Sequence, residues 1–172
     1  MASVKRASNA VLQLALASAL LAGCGGGSMR GADSSPSTTV ATATSELIHA
    51  ARSAVMADHA MSQRVLWTNA VPAHTRYSGG PSMVALRRAV RARVARGIRI
   101  RVTKETFRIV SVSLDPSYMT AFAVVDDRQL VQPYGVGSGP LGKALWQRDH
   151  VRLTLKRSGT KAHFVVWKVT TL

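Results

Sequence analysis

Cysteine is nearly absent from this chain, with one thiol, Cys24, in 172 residues. That excludes an intramolecular disulfide framework and a thiolate zinc cage, which draws on several Cys or His ligands. Acids are also scarce, 8 against 23 Lys and Arg, for a formal net charge of +15. Such a surplus restricts partners to anionic surfaces, anionic polymers or acidic proteins. Aromatics make up only 5% of residues, and no aromatic side chains interleave with the basic ones as a base-stacking surface requires. The apolar stretch over residues 10–22 has thirteen positions, short of the roughly 20 that cross a bilayer as a helix. At 47% hydrophobic residues, the chain still holds enough apolar side chain for one folded domain, which excludes disorder and collagen-like repetition.

The N-terminus reads as an address. Lys5 and Arg6 precede the stretch AVLQLALASALLA, and Leu21, Ala22, Gly23 and Cys24 close it, which is the outline of a secretory signal. The Leu-Ala-Gly-Cys order resembles the bacterial lipobox. That resemblance implies that Cys24 receives a diacylglyceryl group, that residues 1–23 are removed, and that the mature protein is held on the extracytoplasmic face of the cell membrane. An anchor of more than one acyl chain holds a small protein stably where a single chain binds only reversibly. Residues 24–44 form the expected tether: twelve of the twenty positions from Gly25 to Thr44 are Gly, Ser or Thr, the composition of a flexible linker.

From Ser45 the apolar period becomes helical. Ser45 is a candidate N-cap, and Leu47, Ile48, Ala51, Val55, Ser62 and Leu66 recur on one face of a helix expected over 45–67. Thr68, Asn69 and Pro72 end it. A second helix is expected over 81–96, with Pro81 near its first position and Met83, Leu86, Val90 and Val94 as its apolar stripe. After Gly97 the period drops to two. Strands are expected at Ile98–Val102, at Arg108–Leu114 beyond a bulge or turn at Lys104-Glu105, at Tyr118–Val125, at Val151–Lys156 and at His163–Val169. Val151, Leu153, Leu155, Val165 and Trp167 are the expected core of the terminal hairpin, with Trp67 and Trp146 as core or pocket wall. The order predicts one α+β domain over 45–172, with the N-terminal helices packed on a curved antiparallel sheet of four or more strands.

A long helix, a shorter one, and a meander ending in HVRLTLKRSGTKAHFVVWKV resemble the nuclear-transport-factor-2-like or SnoaL-like cone, related to the cystatin fold. The whole chain resembles small lipoproteins of high-GC Gram-positive bacteria that carry this domain after a lipobox. The resemblance implies a sheet curled into a cone, used in some members as an active site and in others as a binding scaffold. It carries over no catalytic residue.

The strongest chemical feature is cationic. Between Asp58 and Glu105 stand ten basic residues and no acid, and on the second helix Arg87, Arg88, Arg91 and Arg96 lie off the apolar stripe. These four are the candidate face for anionic lipid, wall polymer or an acidic envelope protein. Export removes nucleic acid from the expected partners. Gly137-Ser138-Gly139-Pro140-Leu141-Gly142-Lys143 matches seven places of a phosphate-binding loop, but Ala144 replaces the hydroxyl that holds Mg²⁺, so a hairpin loop is expected. The five His residues show no His-x-His or His-Glu-x-x-His spacing, so no metal site and no cofactor are expected. Asp126-Asp127 and Asp149-His150 flank the Gly-rich loop, and strand alternation lets only one member of each pair face inward. The resulting expectation is a non-enzymatic envelope lipoprotein. The alternatives are a small isomerase- or hydrolase-like enzyme using the cone, or an accessory subunit of an envelope secretion or transport complex.

Overall fold

The structure, a computed structural model, describes residues 38–159 and 163–172. The expected signal segment, the lipobox-like residues Leu21, Ala22 and Gly23, and the expected acylation site Cys24 lie outside the described residues. Helix α1 (Thr38–Thr68) begins seven residues before the expected Ser45, so Ser45 is an interior residue rather than a cap. The reason is local: no Gly or Pro stands between Pro36 and the end of α1, and Ala41 and Ala43 favour helix over coil. The expected tether therefore gives up its last seven positions to the helix. Asn69 closes α1 in the left-handed region at φ 54°, its N–H bonding the Val65 carbonyl at 3.0 Å, the geometry of a C-terminal helix cap.

Helix α2 (Gly80–Ala95) carries Pro81 in its first turn. Its buried side chains are Met83, Val90 and Arg93, while Val94 is 57% exposed. The expected stripe is thus rotated toward Arg93, because the end of α1 supplies acceptors for its guanidinium. Arg93 Nε donates to Asn69 Oδ1 at 3.0 Å and Nη2 reaches the Val65 carbonyl at 3.5 Å. A buried cation needs such partners.

Five strands follow: β1 (Ile98–Leu114), β2 (Thr120–Gly135), β3 (Gly139–Pro140), β4 (Leu145–Arg157) and β5 (Phe164–Thr171). They form one antiparallel sheet in the order β1-β2-β4-β5, with β3 paired to β2. The interruption expected at Lys104-Glu105 is a register shift between Val102 and Lys104 inside one 17-residue strand, and a second shift lies between Ile109 and Ser111. Strands β2 and β4 are longer than their apolar cores, so the acids Asp126, Asp127 and Asp149 are mid-strand residues rather than loop flanks.

Helix α1 packs on β1, β2 and β5, and α2 runs from β5 to β1, the two edge strands. The core between α1 and the sheet joins Leu47, Ala51, Ala54 and Val55 to Ala121, Ala123, Val125, Leu153, Leu155, Phe164 and Val166. Leu153 and Leu155 are buried as expected, but on β5 the inward residues are Phe164 and Val166 rather than Val165 and Trp167. A register shift explains this: Thr154 pairs with Lys168 and Leu155 with Val166, leaving Trp167 unpaired and reversing the alternation. Trp167 instead lies half-buried against Gly80, where φ is +50° and a Cβ would come within 2.6 Å of the indole. Only glycine fits there. Trp67 and Trp146 are 42% and 51% exposed and so are not core; Trp67 sits edge-on to Tyr134, and Arg128 covers Trp146 at 4.4 Å.

The edge of β5 is covered by the segment leading into α2. Val166 donates to the Tyr77 carbonyl at 2.8 Å and Gly79 donates to the Val166 carbonyl at 2.9 Å. Between them Ser78, 4% exposed, donates its hydroxyl to Asp58 of α1. Burial pushes the Asp58 carboxyl up to about 6, against the opposing effects of the Ser78 hydrogen bond and the charge of His59.

Candidate functional site

Three pairs of side chains converge where α1 crosses β1 and β2. On α1, His59 and Gln63 are four apart and share a face. On β1 and β2, Glu105 pairs with Gln129 and Phe107 with Asp127 across the ladder. Alternation puts all four on the side of the sheet under α1.

The imidazole of His59 stacks on the Phe107 ring at 3.8 Å with planes 22° apart. Its Nε2 lies 2.9 Å from Glu105 Oε1 and its Nδ1 lies 3.9 Å from Asp127 Oδ2. Two amides hold the carboxylates: Gln63 Nε2 donates to Glu105 Oε1 at 2.7 Å, and Gln129 Nε2 donates to Glu105 Oε1 at 2.9 Å and to Asp127 Oδ2 at 2.5 Å. The side chains of His59 and Asp127 are 15% and 13% exposed, that of Glu105 30%. Asp127 Oδ1 is shut off from solvent without a hydrogen-bond partner, and so is His59 Nε2, whose close approach to Glu105 is out of line for a hydrogen bond. Burial is the main cause that raises the Asp127 carboxyl to about 6, with the negative charges of Glu105 and Asp149 adding to it and His59 and Gln129 opposing. The cluster can therefore take up a proton near neutrality or hold a cation between an imidazole and two carboxylates.

Asp126 and His150, paired across β2 and β4, occupy the opposite face. His150 Nδ1 contacts Asp126 Oδ1, and Arg108 Nη2 donates to Asp126 Oδ2 at 3.0 Å. These hydrogen bonds, with His150 foremost, hold the Asp126 carboxyl below its ordinary range. Neighbouring residues in each acidic pair thus face opposite ways, as strand alternation requires.

Along the sequence, Asp127 stands out only within its acidic pair, His59 lacks metal-binding spacing to another His, and Glu105 marks an expected break between strands. One signal was present. His59 continues the run Leu47, Ala51, Val55 in steps of four, which places a titratable ring on the buried face of α1.

The arginine face is the other candidate. Arg87, Arg88 and Arg91 on α2 and Arg96 at its C-cap are all exposed. Arg87 donates to the Ala73 carbonyl at 3.2 Å and Arg96 to the Ala92 carbonyl at 3.1 Å. None of the four meets a carboxylate among the described residues, where Arg108 is ion-paired to Asp126. The Gly-rich segment is a hairpin: Gly139 pairs with Gly135 and Pro140 with Tyr134, and strand β4 rather than a helix follows Lys143. A phosphate-binding loop needs that helix.

No family model matches the chain, and no curated protein matches it in sequence. Among solved structures it is similar to the intermembrane-space region of the chloroplast protein ARC6. The identity is 11% and the TM-score 0.54, over 73% of this chain and 95% of that one. What the two share is the fold. The chain is an α+β protein, with two helices among the described residues packed against an open antiparallel sheet.

Proposed function

We propose that this protein is a lipid-anchored extracytoplasmic lipoprotein with a nuclear-transport-factor-2-like domain, serving as a binding or scaffolding module whose α2 face engages anionic lipid or wall polymer. One observation carries the reading: Arg87, Arg88 and Arg91 on α2 and Arg96 at its C-cap are exposed together, in a stretch without a single acid between Asp58 and Glu105. Near an anionic surface each such base contributes about 1 kcal/mol, within one Debye length of it. The anchoring reading rests on Leu21-Ala22-Gly23-Cys24 behind Lys5-Arg6. The sheet face under α1 supports a scaffold over an enzyme, because Ala123, Val125, Leu153 and Phe164 fill it against Leu47, Ala51 and Val55.

The test uses non-acylated protein carrying Cys24→Ser and vesicles with or without anionic lipid. Binding is expected to anionic vesicles or acidic wall polymer alone and to fall steeply with salt. Changing the four arginines to Gln abolishes it while leaving stability within about 0.5 kcal/mol, since exposed charges add little to folding. Equal binding of the quadruple variant and the parent at low salt overturns the reading.

A further inference from the structure

We propose that His59, Glu105 and Asp127 form a binding site for one divalent transition-metal ion of the Zn²⁺ type, seated between α1 and the β1–β2 ladder. The proposal is independent of the anchor and of the arginine face. Its basis is geometric: one ligand atom from each of the three residues lies within 4.8 Å of the other two. Donors at Zn–N and Zn–O distances of about 2.0–2.2 Å in a tetrahedron stand roughly 3.3 Å apart. Glu105 Oε1 lies 2.9 Å from His59 Nε2 and Asp127 Oδ2 lies 3.9 Å from His59 Nδ1, so the two carboxylates approach different nitrogens of the same ring. Gathering one ring nitrogen and both carboxylates on a single ion requires side-chain rotation, which Glu105, the most exposed of the three, is freest to make.

A second observation points the same way. His59 Nε2 and Asp127 Oδ1 are both closed to solvent and both lack a hydrogen-bond partner. Buried polar atoms are almost always satisfied. A cation bound by the imidazole and the carboxylates gives such atoms a partner, and two carboxylates match its charge.

The surroundings resemble those that orient metal ligands. Gln63 and Gln129 fix the carboxylates through Glu105 Oε1 and Asp127 Oδ2, and Asp127 Oδ1 is left without a partner. Phe107 holds the imidazole plane by stacking. Partners of this kind typically change metal affinity by about 10–100-fold. An imidazole with two carboxylates suits Zn²⁺, Co²⁺ or Mn²⁺, whereas Ca²⁺ takes 6–8 oxygen ligands and Mg²⁺ keeps several waters. Three protein ligands leave at least one position for solvent, on the side where Glu105 is exposed.

The experiment titrates Co²⁺, a spectroscopic stand-in for Zn²⁺, into the chelator-stripped full chain. One equivalent is expected to bind, with visible d–d bands and without the near-ultraviolet charge-transfer band of a thiolate, which separates this site from Cys24. Zn²⁺ displaces it. His59→Ala and Glu105→Gln are expected to weaken binding at least tenfold, and Gln129→Ala by about 10–100-fold. Glu105→Gln is isosteric and partly exposed, and circular dichroism reports whether its fold is kept. The wild type alone should gain thermal stability with the ion. Absence of stoichiometric binding overturns the proposal, as does binding that Glu105→Gln and His59→Ala leave unchanged, which would place the ion on other groups such as Asp126 and His150.

Discussion

Asn69 joins the two helices to the sheet, and its replacement has a magnitude that can be worked out bond by bond. The residue stands one past α1 at φ 54°. Its Oδ1 accepts from Arg93 Nε at 3.0 Å, and its Nδ2 donates to the Ile98 carbonyl at 2.7 Å. Arg93 is only 5% exposed, and burial lowers its pKa, so losing this acceptor leaves a desolvated cation short of a partner. A hydrogen bond to a charged group contributes about 1.5–3 kcal/mol and a neutral one about 1. A Cβ in the left-handed region without the local bonding of Asn adds about 1 kcal/mol. Asn69→Ala is therefore expected to cost about 3.5–5 kcal/mol, a large share of the roughly 5–15 kcal/mol that holds a domain together. Asn69→Gly loses the same two bonds without the backbone cost and should be about 1 kcal/mol milder. Adding Arg93→Leu to Asn69→Gly removes the orphaned charge, so the double variant should be more stable than the sum of the two singles by at least about 1 kcal/mol. Urea denaturation followed by far-ultraviolet circular dichroism measures the wild type, the three single variants and the double variant, with slopes expected to agree. If Asn69→Gly unfolds within about 0.5 kcal/mol of wild type, or if Gly and Ala are indistinguishable, the joint does not work in this way.

Three other outcomes are expected. Phe164→Ala, at a fully buried position under α1, should cost about 3–5 kcal/mol, and Trp167→Ala, at a half-buried one, should cost less; the opposite ranking in the same denaturation assay would contradict the β5 phase. Asp115 accepts from Ser117 Oγ at 2.6 Å and from the Thr120 N–H at 2.8 Å, bonds that hold its carboxyl below the ordinary range. A depressed acid stabilises above its unfolded pKa and loses that contribution as pH falls through its folded one, so the gap in melting temperature between wild type and Asp115→Ala should shrink on acidification. Cys24→Ala should leave the precursor uncut before residue 24 and free of lipid, which mass spectrometry of the mature N-terminus decides; an unmodified native N-terminus at Gly25 or beyond would refute the anchor.

The sequence by itself determined what depends on spacing between near neighbours. The shift from a 3.6 to a 2.0 period at Gly97 separates the helical half from the sheet, and Asn69 and Pro81 mark helix ends because φ preferences act within one or two residues. The α+β class and the exposed arginines of α2 follow from the same local patterns, as does the opposite facing of Asp126 and Asp127. Tertiary structure decided what depends on pairing across the chain. The inward face of β5 is set by the one-residue slip at Trp167, which period-two reading takes in the wrong phase. Arg93 displaces Val94 from the buried stripe because Val65 in α1 and Asn69 just past its end offer it acceptors. The His59, Glu105 and Asp127 cluster comes from three elements whose register alone brings a helix face over one cross-strand pair, so no spacing along the chain encodes it. Local chemistry thus identified the elements and the charged helix. Long-range register, whose free energy is shared among many weak contacts, determined which polar side chains are held together beneath α1.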